Sequence, residues 1–245
     1  MNGKQLLWVL PVFLLTAASQ AGENQQFMLK DGDTLVFLGN SITQGGSHPE
    51  GYISLIELFM GVNGYSVKII NAGISGHKSN DMLARLEKDV LSHEPDWVSV
   101  SCGVNDVWHQ FSSQRQGVPL EEYRKNMTEI VDRIQKSGAQ VLLLTATPIY
   151  EDLNSRENQM LKDYNEFLRQ LAKEKNLVLC DLFSHFAELY KQKLNDENLL
   201  TTDGVHMKPR GNRLMAREIL KSLEATPQQL RRTEDRWELI GNLGN

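Results

Sequence analysis

Val36-Phe37-Leu38-Gly39-Asn40-Ser41-Ile42-Thr43 reads as an apolar strand that ends in a glycine and delivers a serine. The unbroken run 35–38 suits a strand covered on both faces, as in a parallel sheet, and not the alternation of a half-solvated one. Gly39 permits a tight turn where a side chain would clash. Ser41 then arrives at the carboxyl end of a central strand, the edge at which open α/β sheets place their chemistry. Taken alone, such a serine equally fits a helix cap.

Reading outward, strands are predicted over 34–38, 66–70, 97–101, 140–145 and 177–181. Helices are predicted over 52–62, 79–91, 120–136, 154–175, 183–193 and 209–223, with Pro209 acceptable in a first turn. Residues 43–51 read as a Gly-rich loop, 71–76 and 103–106 as loops, and 107–119 as irregular. Strand and helix alternate throughout. The fold class is therefore α/β, a five-stranded parallel sheet covered on both faces, for which the common doubly wound order 2-1-3-4-5 is the expectation. Its crossovers are expected to be right-handed. Residues 22–224 form the expected domain. The charged tail 225–245 carries Trp237, Leu239 and Ile240, and either packs back or stays loose.

Composition narrows the classes. Of 245 residues, 40% are hydrophobic and 23% charged, the profile of an ordinary globular chain. The net charge of −5 gives no basic footprint for nucleic acid. Residues 1–21 carry Lys4, an apolar run over 6–15 and small residues at Ala17-Ala18-Ser19-Gln20-Ala21, the pattern of a cleaved secretory signal peptide. The run is short for a transmembrane helix. No membrane anchor is expected after cleavage, so the protein reads as secreted or periplasmic. Two cysteines in an exported chain invite a disulfide. Cys102 and Cys180 end strands that have another strand between them, about 9–10 Å apart, beyond disulfide reach. Two buried thiols are expected.

Loops after the strands bring Ser41, Gly76, Asn105 and the pair Asp203 and His206 to one sheet edge. That set suffices for acyl transfer. His206 can take the serine proton and return it to the leaving alcohol. Asp203 can fix the imidazole tautomer and stabilise the imidazolium. The amides of Ser41 and Gly76 and the Asn105 side chain can hold a developing oxyanion. Each block also has a plainer reading: Asp203 as a turn residue before Pro209, Asn105-Asp106 as a turn pair, Gly76 as a helix entry. Asp106 reads as structural. Asn40, His77 and Trp108 are candidate substrate contacts. His77, like His48 and His109, equally fits a surface or packing role, and Trp108 equally fits the core. No His-x-His or His-x-x-x-His pair occurs, so neither a metal site nor a cofactor is expected.

The chain resembles the SGNH hydrolases, the GDSL esterase and lipase superfamily. The resemblance rests on Gly39-Asn40-Ser41-Ile42-Thr43, Asn71-Ala72-Gly73-Ile74-Ser75-Gly76, Gly103-Val104-Asn105-Asp106 and Asp203-Gly204-Val205-His206, in family order and spanning about 34–220. It implies a three-layer flavodoxin-like SGNH hydrolase fold and no metal, with Ser41, Gly76, Asn105 and His206 as the four namesake residues and Asp203 completing a triad. One departure is visible: the family usually has Asp where this chain has Asn40. The activity implied is a secreted serine esterase acting on small acyl esters, above all acetyl groups on carbohydrates. Alternatives are a lysophospholipase or thioesterase for longer chains, or a non-catalytic carbohydrate-binding protein. Labelling of Ser41 by a fluorophosphonate separates the last from the others.

Overall fold

The structure is a computed structural model that describes residues 26–113, 116–192 and 199–243, with side chains to Trp237. The expected signal peptide lies outside the described residues. In chain order the elements are β1 (Thr34–Gly39), α1 (Ser41–Gly45), α2 (Tyr52–Asn63), β2 (Lys68–Gly73), α3 (Ser79–Asp89), β3 (Trp97–Ser101), α4 (Val104–Trp108) and α5 (Leu120–Lys136). They continue with β4 (Gln140–Leu144), α6 (Arg156–Glu174), β5 (Val178–Cys180), α7 (Leu182–Lys191), α8 (Pro209–Ser222) and α9 (Pro227–Leu243).

The five strands form one parallel sheet in the order β2-β1-β3-β4-β5. Helices α2, α8 and α9 pack together on one face, and α3, α5 and α6 form the other layer. With both faces covered, β1 and β4 are almost wholly buried, which explains why they read as unbroken apolar runs. Helices α5, α6 and α8 each turn one apolar stripe to the sheet. Among the described residues no helix is long and apolar enough to cross a membrane.

Three local differences from the sequence reading matter. β2 runs to Gly73, where 71–73 had read as loop, because its register pairs Asn71, Ala72 and Gly73 with Phe37, Leu38 and Gly39. The loop after β1 opens with α1, started by the Asn40 side chain accepting from the Ile42 amide at 3.0 Å. Helix α4 occupies 104–108, part of which had read as irregular. At five residues both helices are too short to show a period. Most of the tail 225–245 forms α9 (Pro227–Leu243), which packs on α2 and α8. Trp237 is buried there and its indole N–H donates to the Leu55 carbonyl. Both cysteines are free and buried, at the ends of β3 and β5 with β4 between.

Trp237 makes a testable anchor. Trp237→Ala should lower unfolding free energy by roughly 3–5 kcal/mol, the usual loss for a buried aromatic truncated to a methyl. Urea unfolding monitored by far-UV circular dichroism reads this directly; an unshifted midpoint would mean that α9 is no part of the cooperative core.

Candidate active site

Ser41 opens α1, directly beyond the turn at Gly39-Asn40. At Gly39 a Cβ would lie 1.9 Å from Thr43 Oγ1, and at its register partner Gly73 2.2 Å from the Gln44 amide nitrogen. Glycine at both positions is what lets α1 lie against the end of the sheet. Asn71 ties the two together: its Nδ2 donates to the Thr43 carbonyl and to Ser47 Oγ at 2.8 Å each, while its Oδ1 accepts from the Gly73 amide. Beneath them the Tyr52 hydroxyl donates to Thr43 Oγ1. Burial pushes the Tyr52 phenol far above its usual range, so it stays a donor.

The loop before α8 meets Ser41 from 165 residues away along the chain. His206 Nε2 lies 2.9 Å from Ser41 Oγ, and His206 Nδ1 lies 2.6 Å from Asp203 Oδ2. The second Asp203 oxygen accepts from the amides of Val205 and His206 at 3.0 and 2.8 Å. Partial burial works against the Asp203 charge, but these amides and the imidazole outweigh it, and its pKa falls below the usual carboxylate value. An imidazole set between a carboxylate and a hydroxyl in this way can accept the hydroxyl proton. The loop is closed by an antiparallel bridge between Thr201 and Met207.

Asn105 is buried in α4 and its Nδ2 donates to the His77 carbonyl at 3.0 Å, which leaves one amide hydrogen for another acceptor. Gly76 precedes His77 in the loop after β2. Asp106 is taken up by the framework: fully buried, it accepts from the Ser79 amide and the Cys102 thiol, and burial raises its pKa. Of the three candidate substrate contacts, Asn40 is 2% exposed with its Oδ1 spent on the Ile42 amide. His77 Nδ1 accepts from Arg85 Nε at 3.0 Å, which places the ring proton on Nε2. Burial, followed by the Arg85 charge, lowers the His77 pKa. Trp108 is half-buried and donates its indole N–H to the Tyr150 hydroxyl.

Sequence reading singled out neither Arg85 nor Glu151, and both hold this edge together. Arg85 reaches the Gly39 carbonyl at 3.0 Å with one NH2 group, His77 with Nε, and Asp89 with the other NH2 group. One guanidinium thus links the residue before Asn40-Ser41 to the residue after Gly76, and through the His77 carbonyl to Asn105. Glu151 accepts from the amides of Leu199, Leu200 and Thr201 and from Thr201 Oγ1, at 2.5 to 2.9 Å, just ahead of Asp203. In sequence each is one charged residue among many; only the contacts distinguish it. Among the described residues no group of three His, Cys, Asp or Glu side chains is arranged to hold a metal ion.

A family model described as the GDSL-like Lipase/Acylhydrolase family matches residues 37–214. An acetylxylan esterase of Geobacillus stearothermophilus is 30% identical over 210 residues, covering 78% of this chain and 94% of that enzyme. An arylesterase of Vibrio mimicus is 27% identical over 225 residues, covering 89% of this chain and 99% of that enzyme. The solved acetyl xylan esterase AlAXEase has a TM-score of 0.73 and 34% identity, covering 77% of this chain and 98% of its own. Axe2, an acetylxylan esterase from Geobacillus stearothermophilus, has a TM-score of 0.74 and 28% identity, covering 81% and 97%. The chain belongs to the GDSL-like lipase/acylhydrolase family. It has the SGNH hydrolase fold and is a carboxylic ester hydrolase that acts on acyl esters.

Two substitutions probe the framework. Arg85→Met keeps an unbranched apolar stem and removes the guanidinium; it should lower kcat on a small aryl ester about tenfold, with less change in KM, because misplacing reacting groups costs rate before affinity. An unchanged kcat would show that the guanidinium is dispensable. Asn40→Asp should keep most of the activity, since a carboxylate oxygen accepts from the Ile42 amide as the Asn40 oxygen does. A loss as large as that of Ser41→Ala would give Asn40 a direct part in the reaction.

Proposed function

We propose that this protein is an exported serine esterase that removes small acyl groups, chiefly acetyl, from carbohydrates. The observation that carries the catalytic part is the continuous hydrogen-bonded chain from Asp203 through His206 to Ser41. In this reading Ser41 Oγ attacks the ester carbonyl while His206 Nε2 takes its proton. The tetrahedral oxyanion is held by the Ser41 and Gly76 amides and by the Asn105 Nδ2 hydrogen left over from its bond to His77. His206 then protonates the departing sugar oxygen, which leaves as a hydroxyl group, and an acyl-enzyme remains. Water, deprotonated by His206, attacks that ester, releases acetate and returns the proton to Ser41.

Asp203 keeps its charge throughout, because the same amides that position it also hold its pKa down. It orients the ring and stabilises the imidazolium, without taking the proton itself. Variants of Axe2 described as catalytic mutants replace a serine, an aspartate and a histidine, the three residue types assembled here. The acetyl and carbohydrate parts of the proposal rest on the relatives named acetylxylan esterases. Export rests on the pattern in residues 1–21.

The test is hydrolysis of nitrophenyl esters of increasing acyl length, with acetylated xylan alongside. Acetate should be cleaved best. Ser41→Ala should remove turnover and covalent labelling by a fluorophosphonate. Asp203→Asn should lower kcat roughly 10⁴-fold with the fold intact, since an amide cannot stabilise the imidazolium. A preference for long acyl chains would replace the acetyl reading with a lipid one, and absence of labelling on the folded wild type would end the serine-esterase proposal.

A further inference from the structure

Tyr150 stands out on three counts. It is 38% exposed and, with Ile74, one of two large hydrophobic residues that are exposed among the described residues. Both sit on loops that leave the carboxyl edge of the sheet. Its φ of +60° lies in the left-handed region, where a bulky aromatic residue is strained. Strain of this kind persists only where surrounding contacts enforce it, and it gathers at ligand sites.

Those contacts are built in. The Tyr150 amide donates to the Gly204 carbonyl at 2.6 Å, between Asp203 and His206. The ring lies so close over Gly204 that a Cβ there would come within 2.4 Å of it. Its hydroxyl accepts from the Trp108 indole at 3.0 Å, and the two rings stand at 88° with centroids 6.5 Å apart. Trp108 is three residues beyond Asn105 on α4. Below the loop, Asn158 of α6, fully buried, grips Ile149 through both its amide and its carbonyl. The ring corner is thus fixed between the His206 loop and the Asn105 helix.

The corner forms one wall of an open groove of about 410 Å³, within the range of small-molecule sites. Trp108, Tyr150 and Phe111 supply its aromatic surface; His109, Arg156 and Glu157 supply its polar groups. The Arg156 guanidinium sits 5.2 Å from the Phe111 ring centre. Arg156 brings guanidinium donors and Glu157 carboxylate acceptors to the lining of the groove. Burial, then the Lys78 charge, lowers the His109 pKa, and its neutral ring both donates and accepts.

We infer that this groove is a saccharide subsite that seats a neutral pyranose ring of the substrate's alcohol portion beside the Ser41 centre. The inference rests on the reading of the protein as a carbohydrate esterase and adds to it the residues that recognise the sugar. A pyranose has apolar C–H faces to lay on Trp108 or Tyr150 and a rim of hydroxyls to meet Arg156, Glu157 and His109. An acyl chain in the same place would cover Arg156 and Glu157 while offering them no hydrogen bond, a desolvation cost with nothing in return.

The test separates recognition from turnover. Unacetylated xylotetraose is titrated into Ser41→Ala protein, alone and with Tyr150→Ala or Arg156→Ala added, and the Trp108 indole N–H resonance is followed. The same two substitutions in active protein are assayed on acetylated xylotetraose and on nitrophenyl acetate. Each should weaken xylotetraose binding at least about fivefold. Each should also lower the ratio of kcat/KM for the sugar ester to that for the aryl ester about tenfold, the scale of one good contact. No shift of the indole resonance, equal binding in all proteins, or an unchanged ratio overturns the subsite. So does a fall confined to esters of longer acyl chains, which would make the groove an acyl site. If xylotetraose binds and the variants lose it, but the wild type cleaves no sugar acetate, the subsite stands and the carbohydrate-esterase reading fails.

Discussion

Gly39 and Gly73 face each other at the ends of β1 and β2, and α1 lies in the space where their side chains would be. This close approach is the constraint on which the reactive edge depends. It brings the start of α1, and with it Ser41, down onto the carboxyl end of the sheet. A methyl group at either position would drive into Thr43 or the Gln44 backbone, and α1 would have to lift. Asn71 and Tyr52 then fasten the short helix by side-chain hydrogen bonds, because five residues supply too few backbone bonds to hold a helix by themselves.

Much else at the edge is positioned by side chains that take several hydrogen bonds each. Arg85 spans the ends of the first two strands, Glu151 gathers four donors ahead of Asp203, and the buried Asn158 and Asn165 of α6 satisfy the loop after β4. A buried polar group that lacks a partner costs free energy, so each of these side chains has one arrangement far below the others. That is how loops, which lack the regular pairing of strands and helices, are held in one geometry. The rigidity serves the chemistry, since the distances from Asp203 to His206 and from His206 to Ser41 must hold across segments 165 residues apart.

The electrostatics divide cleanly. Asp203 is held in its charged form by amides and the imidazole, whereas His77 and His109 are biased towards neutrality by burial and nearby cations. His206 thereby has one fixed anion, Asp203, against its Nδ1. The edge is open: the Asp203 and His206 side chains are 48% and 42% exposed.

The sequence by itself determined the architecture and the blocks that meet at the reactive edge. Short continuous apolar runs suit strands covered on both faces, and their alternation with amphipathic segments leaves few topologies; the common doubly wound order expected among these is the one the structure has. Ser41, Asp203 and His206 could be singled out because a serine after a strand and an Asp-x-x-His pair before a helix are recognisable residue types; the structure joins them in one hydrogen-bonded chain. The short helices α1 and α4 were not legible, since five residues show no period. The inward turn of Asn40 was also hidden, because an asparagine beside a serine looks the same whether it caps a helix or faces a ligand. Only the tertiary structure decided that Arg85 and Glu151 hold the edge, that Tyr150 stands against Gly204, and that the tail 227–237 closes over α2 and α8. These residues act through partners tens to hundreds of positions away. No local pattern encodes such a pairing, because it exists only once the sheet has set the distances between loops.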